Sequence, residues 1–337
     1  MRVEGLHHVT AITADIDANL RFYGKLLGLR LVWQGVTADD PEIRHIAYGD
    51  ERGNPGSVVT FFDMPGVMGG RPGAGMVHRL LFRVGSDEAL DFWERRFARA
   101  GVPSERLPDR LGFSDPDGLA LELVIDDGDD DPLVADAPDV DEQVAIRGMH
   151  ALHAYSDDPG RSAPVFGDVL GMTSQGRARW LARSERRHGE LAYDAAPVER
   201  GIMGAGTVHH VAFTICDGDQ EAWRSHIAAA GLRPTTVLDR KMAKSVYFRE
   251  PSGVLLEVAT DRPGFVFEPP DHLGERLVLI GLDHRRAELE RRFPLLPNPR
   301  AAEHAPKRGP VRPPRIPSIT FGSTRPSGWA PHDINDG

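Results

Sequence analysis

The chain predicts an α+β fold of four βαβββ modules, and three observations support this. Strand-like, alternating segments recur at "GLHHVTAIT" (5–13), "VHRLLFRV" (77–84), "GMHALHAYS" (148–156) and "VHHVAFTI" (208–215). Each leads through a polar turn into a stretch with the apolar spacing of an amphipathic helix. Closing strands then follow turns, as in "NPGSVVTFF" (54–62), "DPDGLALELV" (115–124) and "EPSGVLLEVA" (250–259). Self-similarity of this kind marks a repeated supersecondary unit and governs how every other segment is read.

In module one the strand at 5–13 precedes a helix whose apolar face carries Leu20, Phe22, Tyr23, Leu26 and Leu27, with a stop at Gly28. Module two runs from Val77 through its helix to Val102 and closes at Val124; module three follows the same plan from Gly148 to Gly176 and beyond. Module four repeats module two from Val208 to Leu232 and closes at Ala259. The expected organisation is a domain of modules one and two (1–130), an acidic linker (131–145) and a domain of modules three and four (146–270). A C-terminal extension (271–300) and a Pro-rich tail (301–337) follow. The acidic run "DDGDDDPLVADAPDVDE" (126–142) reads as a solvated connection, because such runs repel themselves. The tail, with seven prolines and little periodicity, reads as disordered.

Composition excludes several classes of protein. At 337 residues the chain can bury two proper cores, and 40% hydrophobic and 27% charged residues are ordinary for a globular protein. A formal charge of -10 argues against nucleic acid or an anionic membrane as partner. No apolar run approaches the roughly 18 residues of a membrane span, and strand-like sequence starting beside Met1 leaves no room for a signal peptide. The single cysteine, Cys216, fits a reducing cytoplasm and excludes an internal disulfide or a thiolate metal site. Any metal must therefore be held by His and carboxylate.

The paired histidines carry the functional signal. A strand alternates its faces, so His7 and His8 are expected to point opposite ways, as are His209 and His210. Laid over one another, the modules put Arg79 and Ala151 where modules one and four have His8 and His210, and Glu257 aligns with Glu122 and Thr60. A ligand set then exists only where modules one and four combine, as His8, His210 and Glu257. Two imidazoles and a carboxylate make the facial arrangement typical of non-heme Fe(II), leaving positions for substrate and dioxygen, although the same donors accept Mn(II), Zn(II) and Ni(II). A glutamate inside "VLLEVA" would otherwise be an uncompensated buried charge. His78, His150 and His153 read as satisfied core or surface groups, Glu122 as a structural carboxylate beside Arg79, and Cys216 as a half-buried residue of no chemical role.

The module pattern resembles the vicinal oxygen chelate superfamily of glyoxalase I, bleomycin-resistance proteins and extradiol dioxygenases, which implies two glyoxalase-like domains. More narrowly, "LHHVTAIT", "FYGKLLGLRLV", "DDPEIRHIAYGDERGNPGSVVTFF", "GTVHHVAFTI" and "SVYFREPSGVLLEVATDRPGF" resemble the hydroquinone ring-cleaving dioxygenases, from about Met1 to Leu296. That resemblance implies Fe(II) on His8, His210 and Glu257, with His7, Thr10, His209, Arg240 and Tyr247 around it. It further implies a small aromatic para-diol and O2 as substrates. His7 or His209 would shuttle a proton, and Tyr247 with Arg240 would hold developing negative charge. Where many relatives carry an aromatic pair after the arginine, this chain has Met242 and Ala243, which bears on substrate size. Two other readings stand beside this one: a Zn(II)- or Ni(II)-dependent glyoxalase-type isomerase, and a metal-free module that binds an aromatic drug. Thr60 and Ala151 disfavour the first and the intact triad disfavours the second. Monomer and homo-oligomer both stay open.

Overall fold

The computed structural model describes residues 1–299 apart from 127, 129, 186, 266 and 298, so the expected tail at 301–337 lies outside the described residues. Module one comprises β1 (Leu6–Thr13), α1 (Ile16–Asn19) continuing into a π-helical segment (Leu20–Leu26), β2 (Arg30–Val36), β3 (Arg44–Gly49) and β4 (Val58–Asp63). Module two comprises β5 (Val77–Val84), α2 (Asp87–Ala100), β6 (Ser104–Leu107), β7 (Arg110–Ser114) and β8 (Ala120–Ile125). In module three, β9 (Met149–Ser156) is followed by short helical turns and by β10 (Thr173–Gly176), β11 (Arg179–Arg183) and β12 (His188–Ala195). Module four holds β13 (Val208–Ile215), α3 (Gln220–Ala229), β14 (Leu238–Asp239), β15 (Lys244–Arg249) and β16 (Leu255–Thr260), and α4 (Arg286–Arg292) lies in the extension. None of these helices is long and apolar enough to cross a membrane.

The modules combine into two eight-stranded sheets, giving the expected α+β class with two glyoxalase-like units. One sheet runs β14-β15-β16-β13-β1-β4-β3-β2 and the other β10-β11-β12-β9-β5-β8-β7-β6. Modules one and four thus share one sheet and modules two and three the other, within a single chain. At each centre the two first strands pair antiparallel, β1 with β13 and β5 with β9, and each is flanked by the parallel closing strand of its own module. Helices cover one face. Tyr23, Trp93, Phe97, Phe166, Trp223 and Ile227 are fully or almost fully buried there against the apolar strand positions.

Local sequence explains the helix boundaries. Asp15 caps α1 by accepting from Asp17 and Ala18 N–H at 3.1 and 2.9 Å, and Ser86 caps α2 from Ala89 N–H at 3.3 Å. Gly28 ends the first helix at φ +71°, and an added Cβ there would lie 3.0 Å from the Ala137 methyl. That contact belongs to the segment expected to be solvated. Instead Ala135, Ala137, Val140 and Ala145 are buried, while Asp131, Asp136, Asp139, Asp141 and Glu142 around them face outward. Cys216 also differs from expectation: it is exposed, and its thiol donates to the Glu4 carboxylate at 3.1 Å.

The extension at 271–299 covers edge strand β2, which would otherwise present unpaired backbone. Fully buried Gln34 donates to the carbonyls of Gly274 and Leu296 at 2.7 and 3.2 Å and accepts from Leu296 N–H at 2.9 Å, while Leu277, Leu279, Leu289 and Phe293 bury around Val36. At the start of β13, Gly206 adopts φ +78° with its Cβ position 2.2 Å from the Asp117 carbonyl oxygen of module two. Gly206→Ala is expected to lose about 2–4 kcal/mol of stability through backbone clash and strain, seen as a lower denaturant midpoint. An unchanged midpoint would contradict this close approach between the units.

Candidate metal centre

The first sheet carries the site on three adjacent strands, β1, β13 and β16. His8 on β1, His210 on β13 and Glu257 on β16 converge there: Nε2 to Nε2 is 3.3 Å, and Glu257 Oε2 lies 3.3 Å from His8 and 3.2 Å from His210. Register explains the meeting, since His8 pairs with Ala212, Ala212 with Glu257, and Thr10 with His210.

Both members of each histidine pair reach this region, contrary to simple alternation. Between Leu6 and His8 the β1–β13 ladder advances two residues on β1 for one on β13, so His7 is the extra residue of a β-bulge. Between Thr10 and Ala11 the count reverses and His209 is the extra residue. The bulges turn the neighbouring rings together: His7 Nδ1 lies 2.9 Å from His8 Nδ1, and His209 Nδ1 lies 2.8 Å from His210 Nδ1.

These contacts settle the protons. Burial, aided by the nearby His8, pushes His7 down to about 3, so it is neutral near pH 7. The Thr260 carbonyl can only accept, so His7 donates its Nε2–H there at 3.1 Å and offers Nδ1 as an acceptor. His8 then donates Nδ1–H to His7, which leaves the His8 Nε2 lone pair aimed at Glu257 and His210. Burial likewise pushes His209 down to about 3, and burial lowers His210. Were His210 Nε2 turned to a metal, its Nδ1–H would go to His209 Nδ1, and the single proton of His209 would reside on Nε2.

Glu257 is 1% exposed, and its Oε2 accepts no hydrogen bond of normal geometry among the described residues. Burial alone would raise its pKa, but His8 and His210 hold it well below the usual carboxylate range. Two imidazole nitrogens and a buried carboxylate oxygen this close need positive charge between them, which a divalent cation would supply in place of imidazole protons. Donors at about 2.1 Å from an ion lie about 3.0 Å apart at a right angle and about 3.4 Å apart at a tetrahedral angle. The observed 3.2–3.3 Å separations fit a divalent ion held by these three residues.

The other expected site residues surround this point. Thr10 Oγ1 lies 3.0 Å from His210 Nε2 and 2.8 Å from Thr60 Oγ1. Tyr247 pairs across the ladder with Glu257 and packs edge-on against His210 at 5.5 Å between centroids. Arg240 lies over the Tyr247 ring at 5.3 Å and is held by Asp39 at 2.8 Å. Met242 packs with Trp33, Phe265 and Phe267 against Val32, Ala47 and Val58, forming an apolar wall, while Ala243 is buried beside Ala212 and Ala259.

Sequence reasoning missed Asp39, Phe62 and His45. His45 Nε2 lies 2.9 Å from Thr60 Oγ1, which extends the Thr10–Thr60 chain, and burial first, then His8 and His210, push it down to about 3. Alternation along β3 was the available signal: Ile46 and Tyr48 enter the helix-covered core, which sends His45 and Ala47 to the site face. Phe62 packs against His209 at 5.3 Å. On the second sheet the corresponding region is closed by an ion pair, Arg79 to Glu122 at 2.5 Å, as the residue comparison suggested for Glu122.

The model of the Glyoxalase/Bleomycin resistance protein/Dioxygenase superfamily matches residues 5–123 and 148–258, and the chain belongs to this superfamily. Among curated proteins it is 36% identical over 312 residues to "Putative ring-cleaving dioxygenase MhqA" of Bacillus subtilis (strain 168), spanning 86% of this chain and 98% of that one. It is 30% identical over 298 residues to "Chlorohydroquinone/hydroquinone 1,2-dioxygenase" of Sphingobium indicum, spanning 82% and 91%. A solved Bacillus subtilis structure described as a "putative dioxygenase" superposes with TM-score 0.80 at 36% identity, over 88% of this chain and 97% of that one. Glyoxalase I from Zea mays, at TM-score 0.53 and 16% identity over 76% and 92%, shares the fold. The chain is therefore an oxidoreductase of the ring-cleaving dioxygenase class.

Because His7 fixes the tautomer of His8, His7→Ala is expected to weaken divalent-metal binding by about 10–100-fold while the chain stays folded. Metal titration monitored calorimetrically tests this; unchanged affinity would sever the proposed link from Thr260 to the ligand.

Proposed function

We propose that the chain is an Fe(II)-dependent extradiol-type dioxygenase that opens the ring of hydroquinone-like para-diols. The observation that carries this reading is the convergence of His8, His210 and the buried Glu257, whose Oε2 accepts no hydrogen bond among the described residues, on one point, a two-histidine, one-carboxylate face suited to Fe(II). The relative named for chlorohydroquinone and hydroquinone supports the substrate class. Iron held there would supply a common centre for the phenol and dioxygen and would lower the pKa of the bound phenol.

The chain's own residues then have distinct tasks. Tyr247 is held well above the usual tyrosine range, first by burial and then by the Glu257 charge, so it stays protonated and can donate to an oxygen that gains negative charge. Arg240, kept over the Tyr247 ring and anchored by Asp39, brings a fixed cation to the same side. His7 is committed to Thr260 and His8, which favours His209, with its proton on Nε2, as the imidazole that exchanges a proton with substrate. Thr10 stands beside the ligand nitrogen of His210, where its hydroxyl can orient a group bound at the centre. Phe62 and the Met242 wall exclude water and set the room for ring substituents. An isomerase reading has less support, because the Thr60 hydroxyl is engaged by Thr10 and His45.

Oxygen uptake by anaerobically Fe(II)-loaded protein is expected with hydroquinone and not with catechol. Uptake with catechol alone would sink the para-diol assignment. Turnover of the methylglyoxal–glutathione hemithioacetal without any oxygen uptake would move the chain to the isomerases. His210→Ala and Glu257→Ala should lose iron and uptake together, by elemental analysis and an oxygen electrode; full iron with full turnover in either would overturn the ligand set. Tyr247→Phe is expected to keep its iron and lower kcat about 100-fold with a much smaller change in KM.

A further inference from the structure

The bulge that delivers His7 and His209 to the first sheet recurs on the second. Between Val77 and Arg79 the β5–β9 ladder advances two residues on β5 for one on β9, which makes His78 the extra residue. Its Nε2 lies 2.9 Å from Asp194 Oδ2 on β12, and His153 Nδ1 on β9 lies 2.9 Å from that same oxygen. His78 is buried and stacked on Tyr155 at 3.8 Å with an 8° interplanar angle, so its ring is locked in this orientation. Asp194 is 44% exposed in its side chain, which leaves the cluster reachable from solvent.

A third His/Asp group, Asp126 with His150 and His188, differs in one decisive respect. Arg83 Nε lies 3.1 Å from Asp126 Oδ2, the oxygen those histidines share, and Arg83 also binds Asp130 at 2.8 Å. A fixed guanidinium already compensates that carboxylate. Arg79, the cation adjacent to His78 in sequence, is instead engaged with Glu122.

We propose that His78, His153 and Asp194 form a second divalent-metal site, separate from the catalytic triad and selective for a borderline first-row ion such as Zn(II). Three mixed nitrogen and oxygen donors with a fourth position open to water suit tetrahedral zinc. Donors about 2.1 Å from the ion would stand about 3.4 Å apart, so Asp194 has to withdraw by about 0.5 Å. Its exposed position at the sheet rim permits this. Such an ion would join β5, β9 and β12, the strands that unite modules two and three.

The test uses the full chain with all three proposed catalytic ligands replaced, His8→Ala, His210→Ala and Glu257→Gln, so that no buried carboxylate is left without its partners. This variant is expected to retain one Zn(II) per chain by elemental analysis after free ion is removed, whereas the unmodified chain binds two. Adding Asp194→Asn, a conservative change at a half-exposed position, should weaken the remaining site by at least about tenfold in a calorimetric titration, with the circular dichroism spectrum unchanged. His153→Ala should do the same independently. No Zn(II) in a His8→Ala, His210→Ala, Glu257→Gln chain with an unchanged circular dichroism spectrum, or undiminished binding after both further substitutions, would overturn the proposal. Neither result bears on whether the catalytic triad uses iron.

Discussion

The structure depends on the antiparallel seam between β1 and β13. These strands lie about two hundred residues apart in the chain, and their ladder is the junction that closes modules one and four into one sheet. Two bulges interrupt it, and each places its extra residue at a histidine. A regular ladder would send His7 and His209 away from His8 and His210. The bulges set a neutral imidazole against the Nδ1 of His8 and of His210, and on the first pair that contact turns the His8 Nε2 lone pair inward.

Charge placement follows from the same seam. Glu257 lies in the strand parallel to β13, in register with Ala212, so its carboxylate arrives beside the nitrogens of His8 and His210. An isolated buried carboxylate costs several kcal/mol, on the order of the net stability of many domains, so a cation completes this arrangement physically as well as chemically. The cationic Arg240 stands one layer further out, across the Tyr247 ring and tied to Asp39.

The second sheet shows what happens when the same frame loses its ligands. The position of His210 becomes Arg79, which pairs with Glu122 and closes the central region with an ion pair. The bulge survives at His78, however, and carries that histidine to a different carboxylate, Asp194, contributed by β12. The two sheets thus share a backbone irregularity while the side chains around it differ.

Much of this was legible in the sequence, because repeated modules leave a periodic pattern that does not depend on distant contacts. Alternating apolar residues, glycine stops and the repeated closing strands determine the α+β class and four modules, and overlaying the modules selects His8, His210 and Glu257 together, with Thr60 and Ala151 marking the positions that lack a ligand. Alternation also spoke for His45, yet no local feature connects it to Thr60. Tertiary structure alone decided the pairing of modules within one chain, the burial of Ala137 and Val140 in an otherwise acidic run, and the approach of Asp39 to Arg240. It also decided the bulges: strand register is set by both partners together, and a one-residue offset between β1 and β13 is a property of neither strand alone.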